Sequence, residues 1–220
     1  MKHLSNYINI RKGKSTIKAT DDTIHQIVKD ELDRLGHDAD LNHIDVSEVT
    51  RISVLFSCYY DDLGQEYEDL NPDISKWNVS NVKFMNTVFY LCRNFNCNLS
   101  DWETNNVEDM HNMFYGCRNF NQDLSQWDVR KVKNMRNMFE GCKNFNQDLS
   151  QWDVSNVQSM YRMFVWCKTF NQDLSSWDVS NVASMESMFK YCKSFNQDLS
   201  GWNVRNVKNM ENMFDRCPIK

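Results

Sequence analysis

Glycine and proline are scarce in this chain, at 6 and 2 of 220 residues. That excludes collagen-like chains, Gly/Ser linkers and Pro-rich disorder. No apolar run approaches the roughly 18–20 residues that a membrane-spanning helix needs. The first residues, Met1-Lys2-His3-Leu4-Ser5-Asn6-Tyr7-Ile8, are broken by polar side chains before a secretory leader's apolar stretch of about seven residues can form. A cytoplasmic or virion-associated location is therefore expected over secretion, and the eight cysteines are expected as thiols. No phosphate-binding loop, G-x-S-x-G or H-E-x-x-H occurs, and four of the five histidines (His3, His25, His37, His43) lie outside the regular part of the chain. No enzymatic activity, cofactor or metal is expected. With Lys+Arg 25 against Asp+Glu 30 the net charge is −5, which makes nucleic acid an unlikely partner.

What is abundant is periodic. Tryptophan stands at 77, 102, 127, 152, 177 and 202, and cysteine at 92, 117, 142, 167, 192 and 217, always 25 residues apart. Such a period means stacked repeat units. Within one unit, Leu149, Trp152 and Val154 fit L-x-x-L-x-L, whose end alternates as a strand does. Val157, Met160, Met163, Phe164 and Cys167 follow at steps that suit one face of a helix, with Ser155 or Asn156 at its N-cap. The pattern predicts an α/β fold: a right-handed, leucine-rich-repeat-like solenoid of about seven 25-residue strand–helix units starting at Leu41, Ile74, Leu99, Leu124, Leu149, Leu174 and Leu199. The first unit is degenerate, and 33 residues separate Ile44 from Trp77 because of an acidic, aromatic insertion at 59–69.

Residues 1–40 lie outside the array as a basic arm and an amphipathic helix. Ile24, Ile27, Val28, Leu32 and Leu35 form its apolar stripe, suited to cap the first unit. Residues 41–220 form the array.

Most repeated residues read as core: Met, Trp and Phe fill it, and the cysteine column is a set of buried thiols. Asn71, Asn96, Asn121, Asn146, Asn171 and Asn196 suit an amide ladder. The column Asn78, Glu103, Asp128, Asp153, Asp178 and Asn203 faces outward, where hydrogen bonds to the next turn offset its charge or, as the functional alternative, a basic partner or Ca²⁺ does. The cations Arg93, Arg118, Lys143, Lys168 and Lys193 fall at the expected helix ends, complementing the dipoles. Specificity belongs where units differ, which selects Tyr90, Tyr115, Trp166 and Tyr191 as partner-binding residues, with Tyr59, Tyr60 and Tyr67 in the insertion. Met213, in the last unit, is expected to mediate self-association through the C-terminal end.

The string Phe-Asn-Gln-Asp-Leu-Ser-x-Trp-Asp-Val-Ser-Asn-Val-x-x-Met-x-x-Met-Phe-x-x-Cys resembles the 26-residue repeat family of bacterial surface proteins. That family is met in mycoplasma lipoproteins and is related to BspA-like leucine-rich repeats. The resemblance spans about residues 41–217 and departs at Cys97-Asn98 and Thr104. It implies a repeat scaffold that binds another protein, often in surface display or adhesion, with no catalytic residues. A second resemblance, of Met1-Lys2-x-Leu4-Ser5-x-x-Ile8 to short leaders on tailed-phage proteins, implies a structural or assembly component of a virus particle as the alternative.

Overall fold

The computed structural model describes residues 16–57 and 69–219. Its regular elements are few. Strand β1 (Ile17–Lys18) pairs in parallel with β2 (Ile44–Asp45), Ile17 opposite Ile44, and helix α1 (Ile24–Leu35) lies between them in sequence. Among the described residues there is no other helix or strand, so the chain does not form strand–helix units.

The units are instead coils made of tight turns. In one coil, the N–H groups of Trp152, Val157, Met163, Cys167 and Phe170 donate to the carbonyls of Leu149, Val154, Met160, Phe164 and Cys167, each three residues back. The three-residue spacing that suggested a helix face is the spacing of turn corners, whose first and last side chains both point inward. Two backbone positions per coil prevent a helix from forming. Thr87, Asn112, Asn137, Arg162, Ser187 and Asn212 occupy one left-handed position, at φ between 52 and 62°. Leu91, Gly116, Gly141, Trp166, Tyr191 and Arg216 occupy the other, at φ between 58 and 79°. A right-handed helix cannot pass through such residues.

Successive coils stack in register. Single parallel bridges join Arg51 to Phe84, then Phe84, Asp109, Asn134, Ser159, Ser184 and Asn209 in turn. Over four alternate residues the bonds run in one direction: the N–H groups of Met110, Asn112, Phe114 and Gly116 donate to Asn134, Arg136, Met138 and Glu140 of the next coil, while the Glu108 N–H donates back to the Lys83 carbonyl. The core is a pile of like side chains. Phe114 and Phe139 stack at 5.7 Å between ring centroids, and Trp102 and Trp127 at 6.3 Å. Each tryptophan also ties two coils together, as when Trp152 Nε1–H donates to the Leu124 carbonyl at 2.9 Å. Each column cysteine does the same, Cys167 Sγ–H reaching the Phe139 carbonyl at 2.9 Å.

At the N-terminal end α1 buries Ile24, Val28, Glu31 and Leu32. His25 Nε2 meets the Ser53 carbonyl at 3.1 Å, and the Asp21 carboxylate accepts from the N–H groups of Thr50 and Arg51. Glu31 is buried between Arg34 and His43.

Candidate functional site

Three polar columns are absorbed by the scaffold. The amide oxygens of Asn71, Asn96, Asn121, Asn146 and Asn171 each accept the backbone N–H of the asparagine one coil on, at 2.8–3.0 Å. The carboxylates of Asp123, Asp148, Asp173 and Asp198 each accept the N–H two residues on. Asn78, Asp128, Asp153, Asp178 and Asn203, the outward column after tryptophan, close the same kind of turn. The Arg130 guanidinium holds the Asp128 carboxyl below the usual range, and bonds from the serine two residues on do the same at Asp173, Asp178 and Asp198. Asn156, expected at a helix N-cap, donates instead to the Arg130 carbonyl of the preceding coil at 2.8 Å. Apart from Glu103, the outward column is thus a set of turn-closing acceptors, and the described residues contain no group of three or more His, Cys, Asp or Glu side chains placed to hold a metal.

The columns that vary between coils assemble differently. Tyr90 stacks on Tyr115 at 4.7 Å, and Trp166 on Tyr191 at 3.9 Å. Trp166 is 39% exposed, although its neighbour Val165 is buried. Cations gather over this second pair: Lys168 over Trp166 at 5.9 Å, and Lys190, Lys193 and Arg216 over Tyr191 at 5.4, 5.9 and 5.2 Å. The pairs are separated by a gap where the second left-handed column carries Gly116 and Gly141. Leu91, Trp166, Tyr191 and Arg216 hold the same backbone conformation, so glycine is not required for the turn. Its effect is to leave the rung without a side chain.

The result is a cleft of about 410 Å³, with Leu91, Tyr115 and Trp166 on its walls and Arg93, Arg118, Lys143 and Lys168 along its rim. Glu140 enters it almost fully buried and is paired through both oxygens with Arg162, at 2.9 and 2.5 Å. That pairing holds the Arg162 guanidinium above its ordinary value, and burial, followed by the Glu140 charge, raises the Tyr115 hydroxyl.

Of the residues singled out from the sequence, Tyr115 and Trp166 line this cleft, Tyr90 backs Tyr115 and Tyr191 backs Trp166. Tyr59, Tyr60 and Tyr67 fall outside the described residues. Met213 is 5% exposed, so Met210, at 42%, is the exposed methionine of the last coil. The cations Arg93, Arg118, Lys143 and Lys168, expected at helix ends, line the cleft instead, and the two glycines are what the sequence does not single out. Their signal is a repeat phase in which large side chains give way to none.

Residues 29–135 and 122–219 match the family described as "Mycoplasma protein of unknown function, DUF285". No curated protein and no solved structure matches the chain. The match supports the mycoplasma side of the repeat resemblance and gives no support to the link with BspA-like leucine-rich repeats. No helix among the described residues is long and apolar enough to cross a membrane. Since the two matched spans together run from residue 29 to residue 219, the chain belongs to the DUF285 family.

Proposed function

We propose that this chain is a non-catalytic binding module that holds another protein against the face carrying Tyr90, Tyr115, Trp166 and Tyr191. The observation that carries this is the Trp166–Tyr191 stack, half-exposed and ringed by cations on an otherwise regular surface. Tryptophan, tyrosine and arginine are the residue types that most often anchor protein interfaces. A stack of identical coils places such anchors on a rigid backbone, which lowers the ordering cost of association. Surface display or adhesion is the setting the repeat resemblance implies. A component of a virus particle, the alternative role, draws no support from the family match.

The test is a photo-crosslinking residue placed at Tyr191 in one version of the chain and at Gln151, exposed in the turn before Trp152, in another. Expressed in the source cells, the Tyr191 position should give a discrete protein adduct identified by mass spectrometry, and the Gln151 position none. Equal labelling at both, or at neither, removes the proposal.

A further inference from the structure

Arg118, Lys143, Lys168 and Lys193 occupy the same phase of four consecutive coils, and Arg93 precedes them. Helix dipoles cannot account for this column, because the coils contain no helices. Arg118, Lys143, Lys168 and Lys193 have no carboxylate partner among the described residues, whereas Arg130, Lys133, Arg162 and Lys190 each have one. Like charges repeated at the spacing of neighbouring strands, about 4.8 Å, repel one another. Other cations, Lys83 and Lys208 among them, also form no ion pair among the described residues; what sets Arg118, Lys143 and Lys168 apart is that they stand together on an open cleft.

We infer that the glycine-floored cleft is a docking groove for an acidic, extended segment of the partner protein. This deepens the proposed protein-binding role and rests on it. A strand advances about 3.3 Å per residue and alternates its side chains, so a run of about three residues spans the rim from Arg118 to Lys168. One set of its side chains then meets the cations, and the other meets Leu91, Tyr115 and Trp166. The rung at Gly141 faces only the Gly116 backbone and admits a backbone that a side chain there would hold away, whereas the Leu91 side chain leans over Gly116, its Cδ2 2.7 Å from where a Cβ would stand. A free polyanion such as a sulfated glycan or an oligonucleotide is less well matched. It carries charge on every unit and would set no apolar group against the wall formed by Leu91, Tyr115 and Trp166.

The test uses the whole chain and a fluorescein-labelled ten-residue peptide of alternating Glu and Leu, followed by anisotropy. Its Gln/Leu counterpart, a sulfated heparin fragment and a single-stranded oligothymidylate serve as competitors. Binding of the Glu/Leu peptide should be at least tenfold tighter than that of the Gln/Leu peptide and should weaken as salt rises. Arg118→Glu with Lys143→Glu should weaken it at least tenfold. Gly141→Trp, which extends the Trp166 column into the gap without changing charge, should do the same, with thermal unfolding showing that both variants fold. Should Gly141→Trp fail to fold, Gly141→Leu, a residue type the same column carries at Leu91, replaces it. Equal binding of the two peptides, or indifference to charge reversal, overturns the inference. So does tighter, rim-dependent binding of the heparin fragment or the oligothymidylate. If the peptide fails while Tyr191 still crosslinks a partner, the acidic segment is wrong and the binding module stands. If crosslinking fails as well, both fall.

Discussion

Trp152 serves the fold twice, filling the space inside its coil and donating its indole N–H to the Leu124 carbonyl of the coil before. Trp152→Ala should therefore cost about 3–5 kcal/mol in urea denaturation. Trp152→Phe keeps the ring packing, gives up the hydrogen bond and should cost less. An unchanged midpoint for the alanine variant would place the indole outside the core. The column cysteines repeat this design with a smaller group. Burial pushes the thiols of Cys142, Cys167 and Cys192 up, and a thiol that stays protonated is a poor nucleophile. In timed alkylation of the native chain, the half-buried Cys97 and Cys217 should react first. Cys142, Cys167 and Cys192 should react only on unfolding, as peptide mass spectrometry would show.

At the scale of one coil, stability depends on turns that repeat an unfavourable backbone conformation. Ser187 sits nearly buried at φ 56° with no side-chain hydrogen bond to lose. Ser187→Gly should lie within about 1 kcal/mol of the parent, since glycine adopts this region freely. Ser187→Val adds a branched side chain where left-handed backbone costs about 1–2 kcal/mol, and its midpoint should fall by more. Equal midpoints would mean that the turn tolerates any residue. The aspartates closing the other turns give the coil a defined acid response. Their folded pKa values are lowered, so their contribution is present above the unfolded carboxyl value near 4 and is lost as pH falls through the folded values. The urea midpoint should decline below about pH 4. Asp173→Asn keeps the turn acceptor, as Asn98 does in the same column, and should soften that decline while leaving the midpoint at pH 7 in place.

Across the whole molecule, each coil bonds only to its neighbours, so damage should stay local. Hydrogen exchange on Trp152→Ala should speed first in the coils on either side, with those near Trp77 and Trp202 following later. Uniform acceleration would indicate a single cooperative unit. The directional bonding also bears on self-association. The N–H groups of Met210, Asn212, Phe214 and Arg216 find no acceptor among the described residues, whereas the equivalent groups of each earlier coil donate onward. At these four positions two copies meeting by a two-fold axis would set donors against donors, with the Lys208 carbonyl, whose equivalents accept from the next coil, as a backbone acceptor beside them. Sedimentation of the 220-residue chain should therefore show no dimer built by backbone pairing there.

The period of 25 residues, the identity of the core and the amide ladder follow from the sequence alone, because stacking requires like residues at a fixed step. The sequence also selects Trp166 and Tyr191 as departures from that regularity. It does not distinguish a helix face from a row of turn corners, since Met160, Met163, Phe164 and Cys167 have a spacing that serves either. Tertiary stacking decides between them. Inter-coil bonds from alternate residues need the left-handed positions at Arg162 and Trp166, and a helix would keep those N–H groups for itself. The same choice removes the dipoles that would have explained the cations, and it brings Gly116, Gly141 and Trp166 into one column as a cleft. Residues 25 apart in the chain become neighbours only once the coils are stacked.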